Sequence, residues 1–148
     1  MKIIKNIVQV LLTMMMIIVF LLTVLKFAGY YPYCVLSSSM EPTLQIGDLI
    51  LVKDEKTKNL KVGDIVTYYG QQNQIVTHRI VEVQETEYIT KGDHNKDVDI
   101  TSLHNQQIIG KVIVAIPYLG YLISGLSRYV ILGIIIIVIW YFSYKKKE

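Results

Sequence analysis

Three stretches of this sequence carry side chains able to make and break bonds. The first is Ser37-Ser38-Ser39-Met40-Glu41-Pro42. A nucleophilic hydroxyl needs a constrained backbone, with hydrogen-bond donors close by for a developing oxyanion. Three serines closed by a proline can supply both, although such clusters also make ordinary loops and helix caps. The second stretch is Ile75-Val76-Thr77-His78-Arg79-Ile80-Val81. Read as a strand, it puts Val76, His78 and Ile80 on one face. His78 is then a semi-buried ring, serving either as a core histidine satisfied by a backbone carbonyl or as a general base. The third is Thr90-Lys91-Gly92-Asp93-His94-Asn95-Lys96-Asp97-Val98-Asp99-Ile100. Its aspartates suit a polar turn, a cation-binding loop, or the orienting of a histidine. A calcium loop needs a central glycine and a closing glutamate, and this stretch has neither.

The elements that must hold these stretches follow from how hydropathy is distributed. Of 148 residues, 52% are hydrophobic, and mean hydropathy is +0.40. That is high for a soluble domain of this size, and the excess sits at the two ends. Residues 7–28 are almost uninterruptedly apolar, long enough to cross a bilayer core. A cleaved signal peptide would have a shorter apolar region followed by a small-residue cleavage site. Here Lys26-Phe27-Ala28-Gly29-Tyr30-Tyr31 follows, so an uncleaved anchor is expected, with Tyr30, Tyr31 and Tyr33 in an aromatic linker at the far interface. Residues 126–144 form a second candidate span, ended by Lys145, Lys146 and Lys147. With Lys2 and Lys5 before the first span, the positive-inside rule makes both termini cytoplasmic.

Between the spans lies a single domain of roughly 100 residues, enough for one core. Two runs share a pattern of an apolar residue, Gly-Asp, then a strand-forming stretch: Ile46-Gly47-Asp48 into Leu49–Leu51, and Val62-Gly63-Asp64 into Ile65–Tyr69. Gly-Asp makes a tight turn into the strand that follows. A polar turn at 70–74 leads into a strand at 75–83, a turn at 84–87 into a short strand at 88–90, and a last strand spans 108–116. Short strands with frequent turns and no amphipathic helix predict a mainly β, small antiparallel domain. The expected organisation is a cytoplasmic N-terminus at 1–6, a transmembrane helix at 7–28, an extracytoplasmic β catalytic domain at 29–116, an interfacial segment at 117–125, a transmembrane helix at 126–144 and a cytoplasmic tail at 145–148.

Several function classes have little support. The middle has no basic stripe interleaved with aromatics, so nucleic acid is not an expected partner. His78, His94 and His104 lack zinc-ligand spacing, and the single cysteine, Cys34, cannot form an internal disulfide. No metal site and no cofactor are expected.

Taken in order, the motifs are Ser37-Ser38-Ser39-Met40-Glu41-Pro42-Thr43-Leu44, Gly47-Asp48, Val62-Gly63-Asp64-Ile65-Val66, Thr77-His78-Arg79, and Lys91-Gly92-Asp93-His94-Asn95 followed by Asp99. This ordered set resembles a type I signal peptidase. A histidine where many bacterial members have lysine resembles the endoplasmic-reticulum and archaeal branch, also found in some Gram-positive bacteria. The resemblance implies a β-domain of the signal peptidase type flanked by N- and C-terminal transmembrane helices. It implies a membrane-bound serine endopeptidase that removes signal peptides from exported precursors without a cofactor. Ser39 would be the nucleophile, His78 the general base and Asp99 the orienting acid. Asp93 would match a second important aspartate, and Ser37 would join the Ser39 backbone N–H in an oxyanion hole. Met40 and Leu36 would help line shallow pockets for the small residues before the cut. Ser38 stands where many members have glycine, and Asp97 lies close enough to Asp99 to compete for its role. Expected partners are signal-peptide-bearing precursors and the lipid bilayer, with an accessory subunit left open. Self-cleaving repressor-type peptidases share a related β-domain but are soluble and use a serine–lysine dyad. The reading from another class is a membrane-anchored β-domain that binds a partner without catalysis.

Overall fold

The computed structural model describes residues 2–54, 60–85 and 87–121, together with the single positions 129, 133, 136, 137 and 140. The chain opens with helix α1, Lys2–Phe27. Among the described residues it is the one helix long and apolar enough to cross a membrane, over Asn6–Phe27 with mean hydropathy 2.7. Phe20 and Met16 are exposed. The hydroxyls of Thr13 and Thr23 donate back to the Gln9 and Val19 carbonyls at 2.8 and 2.7 Å, so neither needs a partner outside the helix. Gly29, at φ +80°, ends the helix in the left-handed conformation that glycine adopts without strain. The candidate span at 126–144 falls outside the described residues apart from those five positions. The expected interfacial segment is described only as far as Tyr121.

Seven strands follow: β1 Tyr30–Cys34, β2 Leu49–Lys53, β3 Ile65–Tyr69, β4 Ile75–Gln84, β5 Glu87–Lys91, β6 Leu103–His104 and β7 Ile108–Ile116. They form one antiparallel sheet in the order β1-β2-β7-β3-β4-β5-β6. The mainly β expectation holds, and β7 has the bounds read from sequence. The aromatic linker is corrected: Tyr30–Cys34 is a strand whose residues pair with Lys53 back to Leu49. Its proline hid it from the sequence reading. Pro32 is tolerated because β1 is an edge strand, where a missing N–H need not break a ladder. The two-residue β6 was also not anticipated, being too short to show alternation.

Both Gly-Asp turns form as expected. Gly47 and Gly63 take φ values of +92° and +96°, and each following aspartate accepts a bond from a backbone N–H three residues earlier. These are Gln45 N–H to Asp48 Oδ2 at 2.9 Å and Lys61 N–H to Asp64 Oδ2 at 3.0 Å. Asp48 is buried and also accepts from the Tyr118 N–H at 3.2 Å. That bond ties the chain after β7 to the start of β2.

The core has two parts. One gathers Leu60, Val66, Tyr68, Ile80, Tyr88 and Leu103. The other gathers Val35, Met40, Leu44, Ile50 and Val52. Val35, Met40 and Leu44 flank the serine cluster, and Met40 and Leu44 are each only 2% exposed. Burying a side chain of this size stabilises by about 1.5–3 kcal/mol. An otherwise irregular strap between β1 and β2 is thereby anchored on both sides of Ser39.

Candidate active site

Ser39 sits where the strap turns. The Glu41 N–H donates to the Ser38 carbonyl at 3.0 Å and the Leu44 N–H to the Met40 carbonyl at 2.9 Å. The Ser39 carbonyl accepts from the His94 N–H at 2.9 Å. The loop after β5 therefore holds the backbone of the serine directly. Gly92 permits that approach, since a Cβ there would stand 2.6 Å from the Ser39 carbonyl oxygen.

His78 lies mid-way along β4, opposite Val66 of β3. Its side chain is 9% exposed. Its partners are side chains and not a backbone carbonyl. Nε2 lies 3.2 Å from Ser39 Oγ, and Nδ1 lies 2.7 Å from Asp99 Oδ2. Asp99 reaches the ring because its own N–H donates to the Thr90 carbonyl at 2.9 Å, pinning the loop back against β5. A carboxylate only accepts, so Nδ1 carries the ring proton and donates it to Asp99, leaving Nε2 to accept from the Ser39 hydroxyl. The hydrogen-bonded chain from Ser39 Oγ through His78 to Asp99 is thus continuous.

Two hydroxyls that sequence reading missed join this group. Thr90 Oγ1 donates to Asp99 Oδ2 at 2.6 Å, and the Tyr68 hydroxyl donates to the same oxygen at 3.1 Å. Thr90 is fully buried and Tyr68 is 5% exposed. Burial, together with the negative charge of Asp99, pushes the Tyr68 phenol well above its usual range, so it remains a donor. The available signal was the hairpin register. Tyr68 stands two residues beyond Val66, the partner of His78, on the same face of the sheet.

Asp93 does not touch the histidine. Arg79 Nε donates to its Oδ1 at 2.9 Å and Arg79 Nη2 to its Oδ2 at 2.7 Å. Thr43 Oγ1 adds a third bond at 2.6 Å, and Arg79 Nη1 reaches the Gly63 carbonyl at 2.8 Å. This bidentate pair links the strap, β4 and the loop that grips Ser39. The Arg79 bonds, with help from Thr43, hold the Asp93 carboxyl below its ordinary 3.8. A folded-state value below the unfolded one gives stability that is complete above the ordinary carboxylate range and lost as pH falls through the depressed value. Asp93→Asn is therefore expected to cost about 1–3 kcal/mol at neutral pH. In thermal melts of the detergent-solubilised full chain, its deficit in melting temperature should shrink as pH drops below about 4. A deficit unchanged by acid would assign the loss to packing.

The remaining expected residues divide. Ser37 Oγ is 3.2 Å from Ser39 Oγ. Leu36 is 78% exposed, whereas Met40 is packed in the core. Asp97 is exposed and stands outside the Ser39–His78–Asp99 chain.

Residues 4–91 match the family described as "Signal peptidase, peptidase S26". That stretch is more than half of the chain. The chain belongs to the signal peptidase S26 family. Among curated family members, signal peptidase I W of Bacillus subtilis is 34% identical over 121 residues, covering 73% of this chain and 64% of the relative. The signal peptidase complex catalytic subunit SEC11 of Colletotrichum graminicola is 37% identical over 110 residues, 64% of this chain and 63% of the relative. That of Verticillium alfalfae is 35% identical over 123 residues, 71% and 72%. The chain thus spans just under two thirds of the first two relatives. The family match includes Ser37, Ser39, Tyr68, His78 and Thr90 and stops short of Asp93 and Asp99.

Proposed function

We propose that this S26 chain is a membrane-bound serine endopeptidase that removes N-terminal signal peptides from exported precursors. The observation that carries the reading is the unbroken hydrogen-bonded chain from Ser39 Oγ through His78 to Asp99, in a member of a peptidase family. In this mechanism Ser39 Oγ attacks the scissile carbonyl while His78 Nε2 takes its proton. Asp99 keeps the ring in the required tautomer and stabilises the imidazolium that forms. The Ser39 N–H and the Ser37 hydroxyl face the developing oxyanion. The proton on Nε2 then passes to the leaving amine, and water resolves the acyl-enzyme by the same steps in reverse. Asp93 acts at a distance, holding the loop that grips the Ser39 carbonyl. Leu36, exposed beside Ser37, offers an apolar contact to the substrate, and Met40 supports the strap from beneath.

The membrane arrangement belongs to the same proposal. The length and hydropathy of Asn6–Phe27 support a first span, and the sequence of 126–144 supports a second. The lysines outside each span favour cytoplasmic termini. The sheet begins at Tyr30, directly after α1, which keeps Ser39 close to the outer surface, where a membrane-embedded signal peptide presents its cleavage site. The full chain in lipid vesicles, given a signal-peptide-bearing precursor, should yield a shortened product whose new N-terminus lies after the signal peptide. Cleavage only in membranes of the expressing cell would add a partner subunit. No cleavage in either setting would overturn the reading.

A further inference from the structure

Asp99 Oδ2 is an unusually crowded acceptor. Three donors converge on it: His78 Nδ1 at 2.7 Å, Thr90 Oγ1 at 2.6 Å and the Tyr68 hydroxyl at 3.1 Å. Thr90 and Tyr68 have one hydroxyl proton each, and both point at the carboxylate. The 3.3 Å contact between the two hydroxyls and the 3.4 Å contact from Tyr68 to His78 Nδ1 then pack the group together without consuming a proton. Both hydroxyls stand on neighbouring strands of a continuous sheet, Tyr68 on β3 and Thr90 on β5, on either side of the histidine on β4. Asp99 itself lies outside any strand, in the loop after β5. A loop side chain held only by its own backbone would be free to rotate. Here two rigid strands fix the oxygen that faces the ring.

We propose that Thr90 and Tyr68 are positioning residues of the peptidase: their paired hydroxyls lock Asp99 Oδ2 onto His78 Nδ1. This rests on the serine-peptidase reading above. The hydroxyls bond Asp99 and not Ser39, so they act on turnover through Asp99 and not on substrate binding. Thr90 carries the larger share, having the shorter bond and complete burial.

The test uses the full chain in vesicles with a membrane-embedded precursor, and separates kcat from KM. Thr90→Val keeps the branched shape and loses the hydroxyl. Thr90→Ser keeps the hydroxyl and loses the methyl. Misplacing a catalytic group costs up to about 10²-fold, so Thr90→Val is expected to lower kcat by about 10–100-fold with KM within about twofold. Thr90→Ser should stay within about threefold of the parent, and Tyr68→Phe should lower kcat about 3–10-fold, in keeping with its longer bond. The reverse order, with Thr90→Ser impaired and Thr90→Val intact, would make Thr90 a packing residue and overturn the proposal. So would parental kcat in both Thr90→Val and Tyr68→Phe. If Thr90→Val does not fold, Tyr68→Phe, which keeps the ring in the core, decides alone. Ser39→Ala separates the two levels. If Ser39→Ala retains activity, the peptidase reading fails and this inference with it. An inactive Ser39→Ala beside parental kcat in both Thr90→Val and Tyr68→Phe would sink this inference and leave the peptidase reading standing.

Discussion

Ser39→Ala is expected to cut precursor cleavage by about 10⁴–10⁶-fold, the largest single effect in the chain. The substitution removes one oxygen and little else. The strap remains anchored by Met40 and Leu44, and the bond from the His94 N–H to the residue 39 carbonyl is a backbone contact that alanine preserves. The variant should therefore melt with the parent, which separates lost chemistry from lost structure. No neighbouring serine can take over from the observed arrangement. Ser37 Oγ faces Ser39 Oγ at 3.2 Å, whereas His78 Nε2 faces Ser39 alone. Ser37→Ala should be milder, about 10²–10³-fold, the usual cost of one oxyanion donor. The measurement is the size shift of a membrane-embedded precursor at matched enzyme concentration. Cleavage by Ser39→Ala above about one tenth of the parent rate would be far too fast for a chain without its nucleophile, and would remove Ser39 from that role.

The fold was legible wherever local chemistry dictated it. Gly47-Asp48 and Gly63-Asp64 announced their turns because glycine takes the left-handed conformation without strain and the aspartate after it closes on the backbone. The alternation of Val76, His78 and Ile80 fixed the buried face of β4. What escaped was non-local. Tyr30–Cys34 is a strand only because β2 is available to pair with it, and nothing within Tyr-Tyr-Pro-Tyr-Cys says so. At the site, the ordered motifs pointed to Ser39, His78 and Asp99, which the fold brings into hydrogen-bond contact from three separate segments. Tyr68 and Thr90 were missed because their part depends on strand register and on a loop folding back across β5. Asp93 was named through the resemblance as a second important aspartate, and spacing could not say that its partner is Arg79 and not His78.

The choice between Asp97 and Asp99 gives the second large effect. Asp99→Asn is expected to lower kcat by about 10³–10⁴-fold, and Asp97→Asn by no more than about threefold. All three neighbours of Asp99 Oδ2 are donors. An asparagine that turned its NH₂ toward them would set donor against donor and favour the ring tautomer with the proton on Nε2, which cannot accept from Ser39. An asparagine that turned its carbonyl toward them would keep the geometry but bring no charge to stabilise the imidazolium formed during attack. Either way the loss falls on kcat, since Asp99 meets the ring at Nδ1, away from the Nε2 that faces Ser39. Asp97 is exposed, so its neutralisation changes only a solvated charge. Steady-state kinetics on the two variants, in the same vesicles and with the same precursor, settle the assignment. A severe Asp97→Asn beside a mild Asp99→Asn would transfer the orienting role to Asp97 and require the loop to rearrange when substrate binds.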